Sequence, residues 1–146
     1  MYGRTSEQYT PIGLINNGDG TVDIYAVAHA ALSVGTLYAV QGGQYGWKTV
    51  AIGNVAEPMF VGTPLEAAAS GDVARIRVGG YVEDITTASL DLDPGDYVDV
   101  SGGATADGGT TKSEASFAVA TADDGGTATT VHSLMLLGRE IVSAST

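Results

Sequence analysis

The chain has 146 residues, with 17 acidic against 6 basic side chains and a formal charge of −11, which disfavours a phosphate backbone or an anionic membrane surface as partner. A basic or neutral protein surface is the better match. It has no cysteine, so disulfide staples, thiol nucleophiles and thiolate metal sites are excluded, and 44% apolar content is too high for a chain disordered throughout despite its 21 glycines. No apolar run approaches the roughly 20 residues of a membrane span, and the first residues lack the basic-then-apolar order of a signal peptide. The length predicts one domain able to bury a core without staples.

Residues 1–13 are polar and show no hydrophobic period, which predicts an extended N-terminal arm ahead of a single β-domain over 14–146. The arm's Tyr2, Arg4, Tyr9, Pro11 and Ile12 suit an extended segment laid along another protein's sheet edge. Asn16-Asn17-Gly18-Asp19-Gly20 is a dense turn signal, and Thr21-Val22-Asp23-Ile24-Tyr25 alternates behind it as a strand. The stretch 26–33 reads as strand running into loop. Strands are predicted at 37–40 and 47–52 around a glycine-rich hairpin loop, with a further turn at 54–58.

Pro64 to Gly71 fits a short helix, with proline at the first position and glycine after the last, and fits a compact loop equally well. Over 73–84 the even positions Ala74, Ile76, Val78 and Val82 are apolar while Arg75, Arg77 and Glu83 are odd, so a half-buried strand is predicted with Ile76, Val78 and Val82 inward. Asp93-Pro94-Gly95-Asp96 turns the chain into the strand 97–100. An exposed loop over 101–112, a strand at 117–121, a turn at 122–127 and a continuous apolar strand at 131–137, buried on both faces or pressed against a neighbour, complete the reading. The sum is an all-β fold, a small barrel or sandwich with at most one short helix.

The reactive-looking motifs have simpler explanations. Registering Gly20 at the invariant glycine of a calcium loop of the EF-hand type puts Ile15 and Ala26 at the first and last ligand positions, where neither can coordinate, so a β-turn is expected. His29 and His132 lie in apolar stretches and are expected in the core or an interface. Asp91, Asp93, Asp96 and Asp99 are expected around a solvated turn, and the glycine pairs at 102–103 and 108–109 lack the Lys and Ser/Thr of a phosphate loop. Ser33, Ser101 and Ser133 sit in no nucleophile elbow. No catalytic residue, metal site or cofactor is predicted.

Taken in order, Phe60-Val61-Gly62, then Leu65-Glu66-Ala67-Ala68-Ala69-Ser70-Gly71-Asp72, then the strand 73–84, then Pro94-Gly95-Asp96-Tyr97-Val98 and Phe117-Ala118-Val119-Ala120, resemble phage capsid decoration (cement, or head-stabilising) proteins. The resemblance covers 32–137; it departs at Thr63-Pro64 and in the longer polar loop 101–112. It implies a non-enzymatic virion protein, often trimeric, on the outer capsid surface after assembly in the host cytoplasm, clamping neighbouring major capsid protein subunits without nucleic acid or membrane. A homotrimer is expected on a second ground, because Val131, Leu134, Met135, Leu136 and Leu137 carry more apolar surface than one barrel face requires. A β-rich tail-fibre or receptor-binding module is the competing expectation; it would bring aromatic clusters or repeats, and the 2 Phe, 1 Trp and 7 Tyr form no repeat.

Overall fold

The computed structural model describes residues 14–43, 46–52, 59–100, 106–109, 112, 113, 115–139 and 141. Its strands are β1 (Ile15–Asn16), β2 (Val22–Val27), β3 (Tyr38–Gly43), β4 (Gly46–Ala51), β5 (Met59–Pro64), β6 (Val73–Leu92), β7 (Tyr97–Val100), β8 (Ala106–Gly109), β9 (Ser116–Ala120) and β10 (Asp124–Leu137). They pair in the order β1-β2-β4-β3-β5-β6-β10-β9-β7-β8, and a further pairing of β2 with β6 closes β2, β4, β3, β5 and β6 into a five-stranded barrel. β10, β9, β7 and β8 continue from β6 as a second sheet, and β1 pairs with β2.

β6 is the hinge of this arrangement. Its 20 residues far exceed the usual strand, so its first half completes the barrel and its second half pairs with β10. The handover falls at Gly79, which faces Val22 of β2 and Leu137 of β10. The next residue, Gly80, has φ +98°, and a Cβ there would lie 3.0 Å from the Gly20 carbonyl oxygen. Only glycine lets the strand bend there against the β1–β2 turn.

Two cores lie on either side of β3 and β5. Ile24, Ala26, Val40, Phe60, Ala74, Ile76 and Val78 fill the barrel, and the three inward positions read from the alternation, Ile76, Val78 and Val82, are all buried. The second core joins Val82, Ile85, Val98, Phe117, Leu134 and Leu136 to Ala39, Met59 and Val61 on the outer side of β3 and β5. Adjacent residues such as Phe60 and Val61 thus enter different cores, which is why every residue of β5 is buried.

The turns follow local chemistry. Asp19 accepts from the Thr21 amide at 3.0 Å, Asn16 Oδ1 accepts from the Gly18 amide at 2.9 Å, and Gly18 and Gly20 take positive φ. At the second turn the Asp96 amide donates to the Asp93 carbonyl at 3.0 Å and Gly95 has φ +94°.

Several expectations change. Among the described residues there is no helix; Pro64 ends β5, and after it the Leu65 amide bonds to Arg75 while Leu32 and Ala68 exchange backbone bonds of 2.8 and 3.2 Å. Two turns cannot meet the cost of helix nucleation when a neighbouring loop offers such partners. Within 101–112, Ala106–Gly109 is β8, a strand whose Ala, Asp and Gly carry no sequence signal and which exists by pairing with β7. The expected turn at 122–127 is overtaken by β10 from Asp124 onward, and its glycine pair lies where the register to β6 shifts. The arm 1–13 and the turn 54–58 lie outside the described residues.

Candidate docking face

The odd positions of β6 point away from the barrel core and meet the outward side of β2. Arg75 faces Tyr25 and Arg77 faces Asp23 across the strands. Asp23 is fully buried, and its carboxylate accepts from Arg75 Nε at 2.7 Å, Arg77 Nε at 2.9 Å and Asn17 Nδ2 at 2.8 Å. Burial by itself would raise the Asp23 carboxyl, but the hydrogen bonds from Arg77, Asn17 and Arg75 outweigh it and hold the group below its ordinary value. Arg75 also donates to Asn17 Oδ1 at 2.5 Å and to the Tyr25 hydroxyl at 3.2 Å, with its guanidinium 5.5 Å from the Tyr25 ring centre. Both arginines are therefore tied down by Asp23.

Two shallow grooves flank this cluster and meet at Leu65. One, of about 460 Å³, is lined by Tyr25, Leu65, Glu66, Val73 and Arg75 among others. The other, of about 330 Å³, lies among Val34, Pro64, Leu65, Arg77, Tyr81 and Glu83. From Tyr81 a row of side chains continues across the second sheet, because Tyr81 pairs with Met135, Met135 with Val119 and Val119 with Tyr97. This row lies on the face opposite Leu134, Ala120 and the second core.

Neither histidine lies in the core. His132 is exposed, its ring Nδ1 paired with Asp124, a buried residue whose carboxylate also accepts the His132 amide at 3.2 Å. The Asp124 hydrogen bond and charge, with a smaller contribution from Asp84, raise the imidazole above its ordinary value. His29 is exposed too, its ring Nδ1 2.7 Å from the Thr49 hydroxyl. Strand alternation turns His132 outward next to the buried Val131, whereas His29 lies just beyond the end of β2, outward next to the buried Ala28.

The four aspartates of the turn do not converge: Asp96 accepts the Asp93 amide at 3.0 Å, and Asp99 accepts from Ser116 at 2.5 Å and Ser113 at 3.0 Å. No group of three or more His, Cys, Asp or Glu that could hold a metal occurs among the described residues.

Of the five residues expected at an oligomer interface, Val131, Leu134 and Leu136 are buried in the chain's own second core, Leu137 is half-buried and Met135 is exposed. The surplus of apolar surface on this strand is thus much smaller than its composition indicates, because β3 and β5 supply a second core for it to cover. Leu136→Asp would damage the domain itself. The arm residues Tyr2, Arg4, Tyr9, Pro11 and Ile12 lie outside the described residues. Sequence reasoning missed Val34, Leu65 and Tyr81. A signal existed for Tyr81, an aromatic at an odd, outward position of the β6 alternation.

Fold and face together define an all-β barrel-and-sheet module with exposed apolar residues that cross its longest strand at Tyr81. No protein-family model and no curated protein matches the chain. Among solved structures it is similar to the head fiber gp8.5 N base of bacteriophage phi29, at 16% identity and a TM-score of 0.51, over 86% of this chain and 98% of that one. At that identity the likeness is one of fold.

Proposed function

We propose that this protein is a non-enzymatic structural component of a phage head, bound to the outer surface of the shell, where it bridges major capsid protein subunits and stabilises them as a decoration protein. The observation that carries the reading is the fold likeness to a phage head fiber base across nearly the whole of that chain. The order of turn and strand motifs from Phe60 to Ala120 supports it independently, because it draws on local sequence and not on backbone superposition.

The physics of the role is simple. A shell filled with packaged DNA is strained at its subunit seams, and a compact β-module spanning a seam adds buried interface without chemistry. Its net charge of −11 keeps the free protein soluble and away from the genome. The arm residues Tyr2, Arg4, Tyr9, Pro11 and Ile12 belong to this reading as a strand added to a capsid sheet edge. So does the homotrimer, which rests on the family resemblance together with the half-buried Leu137.

The test is to mix the recombinant protein with purified shells that lack it and to sediment them. Saturable co-sedimentation is the expected result. Protein left in the supernatant at micromolar concentration, with binding instead to isolated tails, would replace the decoration reading by that of a tail-fibre module.

A further inference from the structure

Four of the large apolar side chains exposed among the described residues, Val34 at 59%, Tyr81 at 47%, Met135 at 40% and Leu65 at 37%, are neighbours on one surface. Val34, Leu65 and Tyr81 share a groove, and Tyr81 is the cross-strand partner of Met135. Isolated exposed apolar residues are ordinary on any surface; a contiguous strip rimmed by polar groups is what protein-binding faces look like.

The rim decides the partner. Arg75 and Arg77 are the cations on this face; both bond Asp23, whose single carboxylate offsets one of their two charges. Glu66 and Glu83 line the two grooves, and the ion pairs among the described residues leave them without a cation. Two arginines against Asp23, Glu66 and Glu83 leave this face a single net negative charge, with the two glutamates at the edge of an apolar centre. Phosphate-bearing surfaces would be disfavoured, and a second copy docked face to face would set Glu66 and Glu83 against the same carboxylates.

We infer that this strip, from the Val34–Leu65 groove to Met135, is the face that seats on the shell, and that it takes a segment of shell protein with apolar side chains flanked by Lys or Arg. The inference rests on the shell-binding reading above and adds to it the surface and the chemistry of its partner. Apolar burial would supply the affinity, and Glu66 and Glu83 the orientation and the salt dependence.

The test uses the full chain and shells that lack it, with Leu65→Asp, Tyr81→Asp and, as an independent position, Met135→Lys. All three positions are exposed, so the thermal midpoint should change little, and a variant whose midpoint falls by more than a few degrees is replaced by the Ser substitution at the same site. The expected result is at least tenfold weaker co-sedimentation for each variant, and weaker binding for the double reversal Glu66→Lys with Glu83→Lys that is most evident at low salt. Wild-type binding with all variants binding equally would overturn the face and leave shell binding standing. Failure of the wild type to bind would overturn both. Sedimentation velocity of the free proteins supplies the last outcome: a wild-type oligomer that these substitutions dissociate would make a second copy the occupant and overturn the proposed partner.

Discussion

A Cβ placed on Gly62 of β5 would sit 2.1 Å from the Arg77 carbonyl oxygen of β6. The two strands approach so closely at this point that the barrel closes only with a hydrogen there. Val78 would also be met at 3.0 Å, so the neighbours cannot move aside without shifting β6 itself. Gly62→Ala is expected to destabilise the domain by about 3 kcal/mol, at the upper end of overpacking costs, because backbone must give way. The urea midpoint measures it; an unchanged midpoint would contradict the closeness of β5 and β6.

Asp23 is the buried centre of the β2–β6 polar cluster. Asp23→Asn leaves Arg75 and Arg77 without their carboxylate and should cost roughly 2 kcal/mol, less than a wholly buried pair because the arginines are partly exposed. The carboxyl is held below its ordinary value in the fold. Its contribution is therefore fully present above the unfolded value and lost as pH falls through the folded one. The stability gap between wild type and Asp23→Asn should be constant near neutrality and narrow only in strong acid. Urea unfolding at a series of pH values would show this.

His132 runs with the opposite sign. Its imidazole is raised above the ordinary value by Asp124, so the stability it adds is fully present below the unfolded value and is lost as pH rises through the folded one. His132→Gln should lower the thermal midpoint in mildly acidic buffer and have a smaller effect in alkaline buffer. The ring resonances of His132, followed by NMR, should titrate above the free-imidazole value. A midpoint near or below that value would break the link to Asp124.

Deletion of residues 1–13 should leave the domain folded, since that segment is polar and has no hydrophobic period, and should weaken shell binding by several-fold or more. A truncated protein that decorates shells as tightly as the full chain would make the arm dispensable and leave binding to the β6 face alone.

Most of the strands were legible from local alternation and turn residues, and the Asn16–Gly20 and Asp93–Asp96 turns were legible because Asn, Asp, Pro and Gly act within a few bonds of themselves. The double role of β6 was not, because its second half is held by pairing with β10 and Gly79-Gly80 reads equally as a break. β8 was hidden for the same reason, having only its backbone to offer β7. The apolar run at 131–137 was correctly a strand, yet its inward residues were assigned to an interface because nothing local shows that β3 and β5 present a second face to be covered. Val34, Leu65 and Tyr81 come from separate parts of the chain, and only the barrel's closure brings them to one groove.

Cryo-electron microscopy of purified virions addresses the central claim most directly. The account predicts density of this barrel-and-sheet shape on the outer surface of the head, repeated with the symmetry of the shell and touching more than one major capsid subunit, with the β6 face turned toward them. The same density at the tail, or its absence from the virion, would contradict it.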